Sequence, residues 1–119
     1  MLTRSVSLVC VLLAAVPAWA QSYYTVRLDD PKAVYLEAFG AKGDAVTDDS
    51  DAIQRAIDTV QEKSVQGIVF VPEGRYRLTK TVYVWPSIRL IGYGARRPVF
   101  VLAPNTPGYQ DAKAENYMV

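Results

Sequence analysis

Histidine is absent from this chain, and cysteine occurs once, at Cys10. Without an imidazole there is no base for a Ser-His-Asp or Cys-His arrangement and no histidine-based zinc site. A single cysteine excludes an internal disulfide framework and a thiolate metal cluster. An excess of charge is also missing, since 13 Lys and Arg face 12 Asp and Glu. So even a balance leaves no electrostatic footprint for nucleic acid or for an anionic membrane surface. Long apolar runs are lacking too. The longest, over residues 6–16, falls short of the about 20 residues that span a bilayer.

That run has a different reading. Arg4 gives a short positive start, the apolar stretch follows, and Ala18-Trp19-Ala20 places small residues before Gln21 where a signal peptidase cuts. Residues 1–20 are therefore expected to be a secretory signal peptide cleaved after Ala20, sending the protein to the periplasm or the outside with no membrane contact afterwards. Val9 precedes Cys10 where a lipidation signal needs a small residue, which argues against a lipid anchor. Cleavage removes Arg4 and the only cysteine, so charges balance at twelve each and stability must come from packing without disulfides.

Residues 21–33 read as a polar and aromatic N-terminal extension closed by Asp29-Asp30-Pro31. The pattern predicts a strand over 34–39 ended by Gly40, then a loop over 41–46. From Asp48 the period changes. Ala52, Ile53, Ala56, Ile57 and Val60 recur at helical steps, with Asp49, Asp51, Arg55, Asp58 and Glu62 largely off that stripe. Thr47 or Asp48 is placed to cap the helix, which should end near Lys63 with Gly67 punctuating the exit. Short strands follow at 68–71, 88–91 and 99–102, and Tyr76, Leu78, Val82 and Val84 alternate with polar neighbours. Such strands suit a sandwich, a barrel or a solenoid. The runs beginning at Ile68 and Ile88 lie twenty residues apart, within the range of a solenoid rung.

Three blocks carry a family likeness. They are residues 39–57 (Phe-Gly-Ala-Lys-Gly-Asp-Ala-Val-Thr-Asp-Asp-Ser-Asp-Ala-Ile-Gln-Arg-Ala-Ile), 67–78 (Gly-Ile-Val-Phe-Val-Pro-Glu-Gly-Arg-Tyr-Arg-Leu) and 88–94 (Ile-Arg-Leu-Ile-Gly-Tyr-Gly). Together they resemble the pectate lyase superfamily, and within it the rhamnogalacturonase and epimerase-like N-terminal region, over roughly residues 35–104. The resemblance implies a mainly β fold: the N-terminal part of a single-stranded right-handed parallel β-helix with one capping α-helix, occupying residues 34–119 and truncated at its C-terminus. Family members usually carry glycine where this chain has Ala45, so the turn there is a point of departure. The likeness further implies a polysaccharide as partner and hydrolysis of glycosidic bonds, of the polygalacturonase, rhamnogalacturonase or glucanase kind. A polysaccharide lyase, or a non-catalytic glycan-binding or tailspike-like structural β-helix, is the alternative. The signal peptide weighs against a virion component. No cofactor is implied, the oligomeric state is left open, and the acid and base groups are expected beyond Val119. At most about two incomplete coils are expected here, so residues 21–119 by themselves should be poorly folded and inert.

Few residues of the segment invite a chemical role. Asp48 and Asp49 are adjacent, whereas glycosidases hold their carboxyl pair about 5–5.5 Å or 6.5–9.5 Å apart across a sugar. Helix capping is the better account of them. Asp44, Asp48, Asp49 and Asp51 do not follow the spacing of a calcium loop. Gly92-Tyr93-Gly94 is a turn without the third glycine of a dinucleotide loop. Arg96 and Arg97 suit an acidic sugar, although a solvated turn is their commoner state. Of the aromatic residues, Tyr76 is in phase with Leu78 and belongs to a core. Trp85 and Tyr93 fall at turns, where an exposed ring can stack on a sugar, and are the residues proposed for carbohydrate contact; no catalytic, cofactor or metal residue is assigned.

Overall fold

A computed structural model describes residues 21–111, 113 and 116–119; the expected signal peptide lies outside them. Helix α1, Ser50–Ser64, follows the apolar stripe. Ala52, Ile53, Ala56, Ile57 and Val60 are all buried on it. Ile53, Ala56, Ile57 and Val60 meet Leu36, Val69, Val71, Tyr76, Leu78, Val82 and Ile88 in one core. The helix lies across β1 (Ala33–Tyr35), β3 (Gly67–Pro72), β4 (Arg75–Leu78) and β5 (Ile88–Tyr93).

The remaining strands are β2 (Asp44–Asp48) and β6 (Val99–Leu102). Successive strands alternate between two three-stranded sheets, β1-β3-β5 and β2-β4-β6, and every pairing is parallel. This alternation stacks like on like. Val34 pairs with Val69 and Val69 with Leu90 in one sheet. In the other, Tyr76 pairs with Phe100, their rings 5.9 Å apart, and Leu78 with Leu102. Inward side chains of neighbouring levels thus form continuous apolar ladders, the sheet equivalent of a packed helix face. The register between β3 and β5 sets Gly67 opposite Ile88, a step of one residue more than the twenty counted from apolar runs. Each sheet also has three strands, where about two incomplete coils were expected. The difference arises before the helix, where β1 and β2 already form a first level.

Two expected elements change character. The predicted strand at 34–39 is β1 followed by a 3-10 turn, Leu36–Phe39. That turn drives Leu36 into the core and closes at Gly40, whose φ of 83° is left-handed. The predicted loop at 41–46 overlaps β2, whose only ladder partners are Asp44 with Arg75 and Asp48 with Arg77. Between them the carboxylate of Asp44 accepts hydrogen bonds from Val46 N and Thr47 N at 2.9 and 2.8 Å. A local turn therefore bulges out of the strand, which explains why its sequence reads as loop.

The bulge places Ala45 at a φ of 64°, the left-handed conformation that glycine adopts without penalty. Ala45→Gly should raise stability by about 1 kcal/mol. The check is a denaturant midpoint that rises while the slope stays constant; an unchanged or lower midpoint would show the turn to be unstrained. The helix exit is strained in the same way, because Val65 caps it at a φ of 60° and donates its N–H to Gln61 O. The expected punctuation by Gly67 is corrected here, since that glycine is already the first residue of β3.

The segment after β4 forms a third side. Val82 is buried and donates its N–H to Met118 O at 2.9 Å. On its opposite edge the amide of Gln54 does what a neighbouring strand would do. Gln54 Oε1 accepts from Tyr83 N at 2.8 Å, and Gln54 Nε2 donates to Tyr83 O at 3.0 Å. The backbone polar groups of this extended segment are thereby satisfied from the helix.

Candidate functional site

The acidic run at the start of α1 is committed to structure. Asp49 is buried, and its two carboxylate oxygens accept Lys42 N at 2.8 Å and Gly43 N at 3.0 Å, fixing the preceding loop to the helix. Asp48 Oδ1 accepts from both the amide and the hydroxyl of Ser50, and Oδ2 accepts from Thr79 Oγ1 at 2.5 Å. Of the residues expected to cap, Asp48 thus engages the first helical amide, whereas Asp49 occupies the N-cap position without a side-chain cap bond because its carboxylate is taken by the preceding loop. Thr47 does not; its hydroxyl donates to Asp44 Oδ2 at 2.9 Å. Burial pushes the Asp48 carboxyl up, yet the hydrogen bonds from Ser50 and Thr79 and the nearby Arg77 charge outweigh it and leave the group below its ordinary range. Asp51 pairs with Lys80 on the surface at 2.6 Å. The four acids are engaged by different partners, and no group of three potential metal ligands occurs among the described residues.

Tyr93 is the last residue of β5, not a turn residue. Its hydroxyl donates to Glu37 Oε1 at 2.6 Å, and its ring meets Phe70 edge-on at 6.4 Å. Phe70 in turn stacks on Tyr35 at 5.7 Å, and the Arg27 guanidinium lies 4.0 Å from the Tyr35 ring centre. Burial and the Glu37 carboxylate push the Tyr93 phenol up to about 12. Tyr93 is thereby a member of an aromatic ladder on the outer face of its sheet, half-buried and with its hydroxyl already engaged.

Trp85 is arranged otherwise. The residue is 47% exposed, and its indole N–H donates to Asp58 Oδ1 at 2.8 Å. The same oxygen accepts Gln54 Nε2 at 3.0 Å, so the helix that binds the backbone of Tyr83 also sets the orientation of the indole. Tyr83, two residues earlier on this extended segment, is 70% exposed. Asp58 and Gln54 carry no signal in sequence beyond lying near the polar side of an amphipathic helix. Tyr76 is buried against Phe100 as expected, and burial raises its phenol well above the ordinary value.

Arg96 and Arg97 lie exposed in the loop from β5 to β6, next to the corner between β3 and β4. The structure brings Arg75 to the same cavity. It does not bring Trp85 or Tyr93 there, and the cavity is lined by Glu73, Gly74, Arg75, Arg96, Arg97 and Val99.

With the stacked sheets and the helical lid established, comparison with known proteins gives a consistent result. The family described as rhamnogalacturonase A/epimerase, pectate lyase-like, matches residues 34–118. The chain belongs to this family. Among curated relatives of this pectate lyase-like chain, a glucan 1,3-beta-glucosidase of Cochliobolus carbonum is 43% identical over 53 residues, which are 44% of this chain and 6% of the relative. Alginate lyase 7 of Azotobacter vinelandii is 56% identical over 44 residues, 37% of this chain and 5% of the relative. Among solved structures, the A-module of a mannuronan C-5 epimerase from Azotobacter vinelandii superposes with a TM-score of 0.53 at 33% identity, covering 58% of this chain and 20% of that one. The pectate lyase-like chain thus spans only a small part of the length of these three proteins, whose names refer to polysaccharide chemistry of more than one type. Among the described residues no helix is long and apolar enough to cross a membrane.

Proposed function

We propose that this chain is the exported N-terminal cap and first coils of a right-handed parallel β-helix enzyme that hydrolyses a polysaccharide. The observation that carries the reading is the in-register parallel stack of two sheets under one helical lid, in a chain whose family match runs over residues 34–118. Stacked levels build an extended surface on which a polymer can lie, and the lid closes one end of it. Hydrolysis is supported by the glucosidase relative. It needs an acid and a second carboxylate facing a sugar. The acids at the start of α1 are engaged by backbone amides, hydroxyls or Lys80, so in this reading the reacting groups belong to other coils and this segment binds. The alginate lyase relative supports β-elimination as a second reading. The apolar run at residues 6–16 supports export.

Within this segment Trp85 is the proposed sugar contact, because the residue is exposed and its indole N–H is held by Asp58. Tyr93 is half-buried with its hydroxyl bound to Glu37, which makes it the weaker of the two candidates. The test uses the full-length protein on a panel of neutral and acidic polysaccharides. New reducing ends without ultraviolet absorbance are expected; absorbing, unsaturated ends would establish elimination instead, and no product from any glycan would remove the enzymatic reading. Trp85→Ala should weaken glycan binding by about 1 kcal/mol, a roughly fivefold higher Kd, with unchanged thermal stability. An unaltered Kd would take Trp85 out of the binding surface.

A further inference from the structure

We propose that the corner formed by residues 73–75 and 96–99 is a binding site for the carboxylates of an acidic polysaccharide. The inference rests on the polysaccharide reading above and adds a site to it. Arg75, Arg96 and Arg97 line a cavity of about 300 Å3 together with Glu73, Gly74 and Val99, and Arg97 also borders the neighbouring cavity beside Ser22 and Tyr24. All three arginines are exposed. None of them is within ion-pair distance of a carboxylate among the described residues, where the ion pairs are Arg27 with Glu37 and Lys80 with Asp51. Three positive groups against the one carboxylate of Glu73 give a local excess of cation in a chain that is otherwise balanced.

The corner is built rather than loose. Arg75 N donates to Gly43 O and Val99 N to Gly74 O, each at 2.9 Å, which ties three successive corners into a column. Glu73 Oε2 accepts the backbone N–H of Arg96 at 2.9 Å, so the acid of the site is occupied in holding the arginine loop. Arg97 Nε donates to Gln21 O at 3.0 Å, which leaves its two terminal nitrogens for a ligand. Pro98 follows with a restricted φ and packs on Gly92, where an added Cβ would lie 2.5 Å from its Cδ. The arginines are therefore presented from a backbone already fixed, and less ordering entropy opposes binding.

The planar guanidinium fork matches a carboxylate with two parallel hydrogen bonds. Adjacent levels of a parallel stack lie about 4.8 Å apart. Arg75 and the loop carrying Arg96 and Arg97 sit on adjacent corners, a separation comparable to one sugar ring. A polymer with a carboxylate on each ring can meet that spacing, and a neutral glucan cannot use it.

The test compares binding of an oligomannuronate and of a neutral β-glucan to the full-length protein and to Arg96→Gln/Arg97→Gln. Oligomannuronate binding is expected to weaken at least tenfold in the double variant and to lose much of its salt dependence, with glucan binding unchanged. Arg96→Lys/Arg97→Lys keeps the charge without the fork and should retain the salt dependence at an intermediate affinity. Oligomannuronate binding unchanged in the glutamine variant, or glucan binding reduced as much as oligomannuronate binding, overturns the site. Wild-type protein that binds neither glycan and cleaves none overturns the polysaccharide reading as well, whereas retained cleavage with unchanged oligomannuronate affinity overturns the arginine corner alone.

Discussion

Ile57→Ala is expected to lower the unfolding free energy of the protein by about 2–5 kcal/mol. Ile57 has no accessible surface and lies in the middle of the buried stripe of α1, with Ile53 and Val60 one turn to either side. Beneath it are the inward residues of β3 and β4. Truncation removes transfer free energy and leaves a void that the two sheets cannot collapse to fill, because their backbones are locked in a parallel ladder. Glu62→Ala, at an exposed position of the same helix, should stay within about 0.5 kcal/mol. Denaturant midpoints of the two variants measure the contrast. Equal effects would mean that the helix is not a lid on the stack, and the proposed architecture would fail with it.

Gly67→Ala should cost about 3 kcal/mol, at the upper end of the range for overfilled interiors. A Cβ at this position would lie 2.2 Å from Lys32 O and 2.8 Å from Val60 Cγ1. Neither can withdraw easily. Lys32 O accepts the amide of Ile68 where β1 joins β3, and Val60 is fully buried in the lid. The added methyl group would push apart the first level, the second level and the helix at a point where all three meet. Gly40→Ala is the informative comparison. Gly40 has a φ of 83°, but a methyl group added there would meet nothing within 4 Å, so it should lose only the about 1 kcal/mol of left-handed strain. Thermal or chemical denaturation should rank Gly67→Ala well below Gly40→Ala. The reverse order would show that backbone conformation, not the close approach of three elements, is what requires glycine at 67.

The helix and the strands β3, β5 and β6 were readable because each buries side chains at a fixed period, three to four residues in one case and a short apolar run in the other. β2 was not. All five of its residues are exposed, so no burial pattern marks it, and its hydrogen bonds are divided between a ladder and a local turn. The 3-10 turn after β1 escaped for a related reason: Leu36 and Phe39 suit a strand or a tight turn equally, and packing under α1 makes the choice. Among the residues of interest, Trp85 and Tyr93 were recognisable as aromatics near chain reversals. Their different surroundings were not. Asp58 lies 27 residues from Trp85, and Glu37 lies 56 residues from Tyr93.

From the residues alone followed the neutral charge, the want of imidazole and thiolate chemistry, the amphipathic helix and the family whose blocks recur in order. These are properties of local composition and period, which a linear chain carries in full. Which acids cap or anchor, which ring stays exposed and which arginines converge on one corner were settled by the stacking of levels. Parallel pairing sets Arg75 beside Val99 and leaves the arginine loop beside the corner below it. Residues some twenty positions apart become neighbours only when successive turns of chain lie in register, and that register is chosen by the whole apolar interior at once.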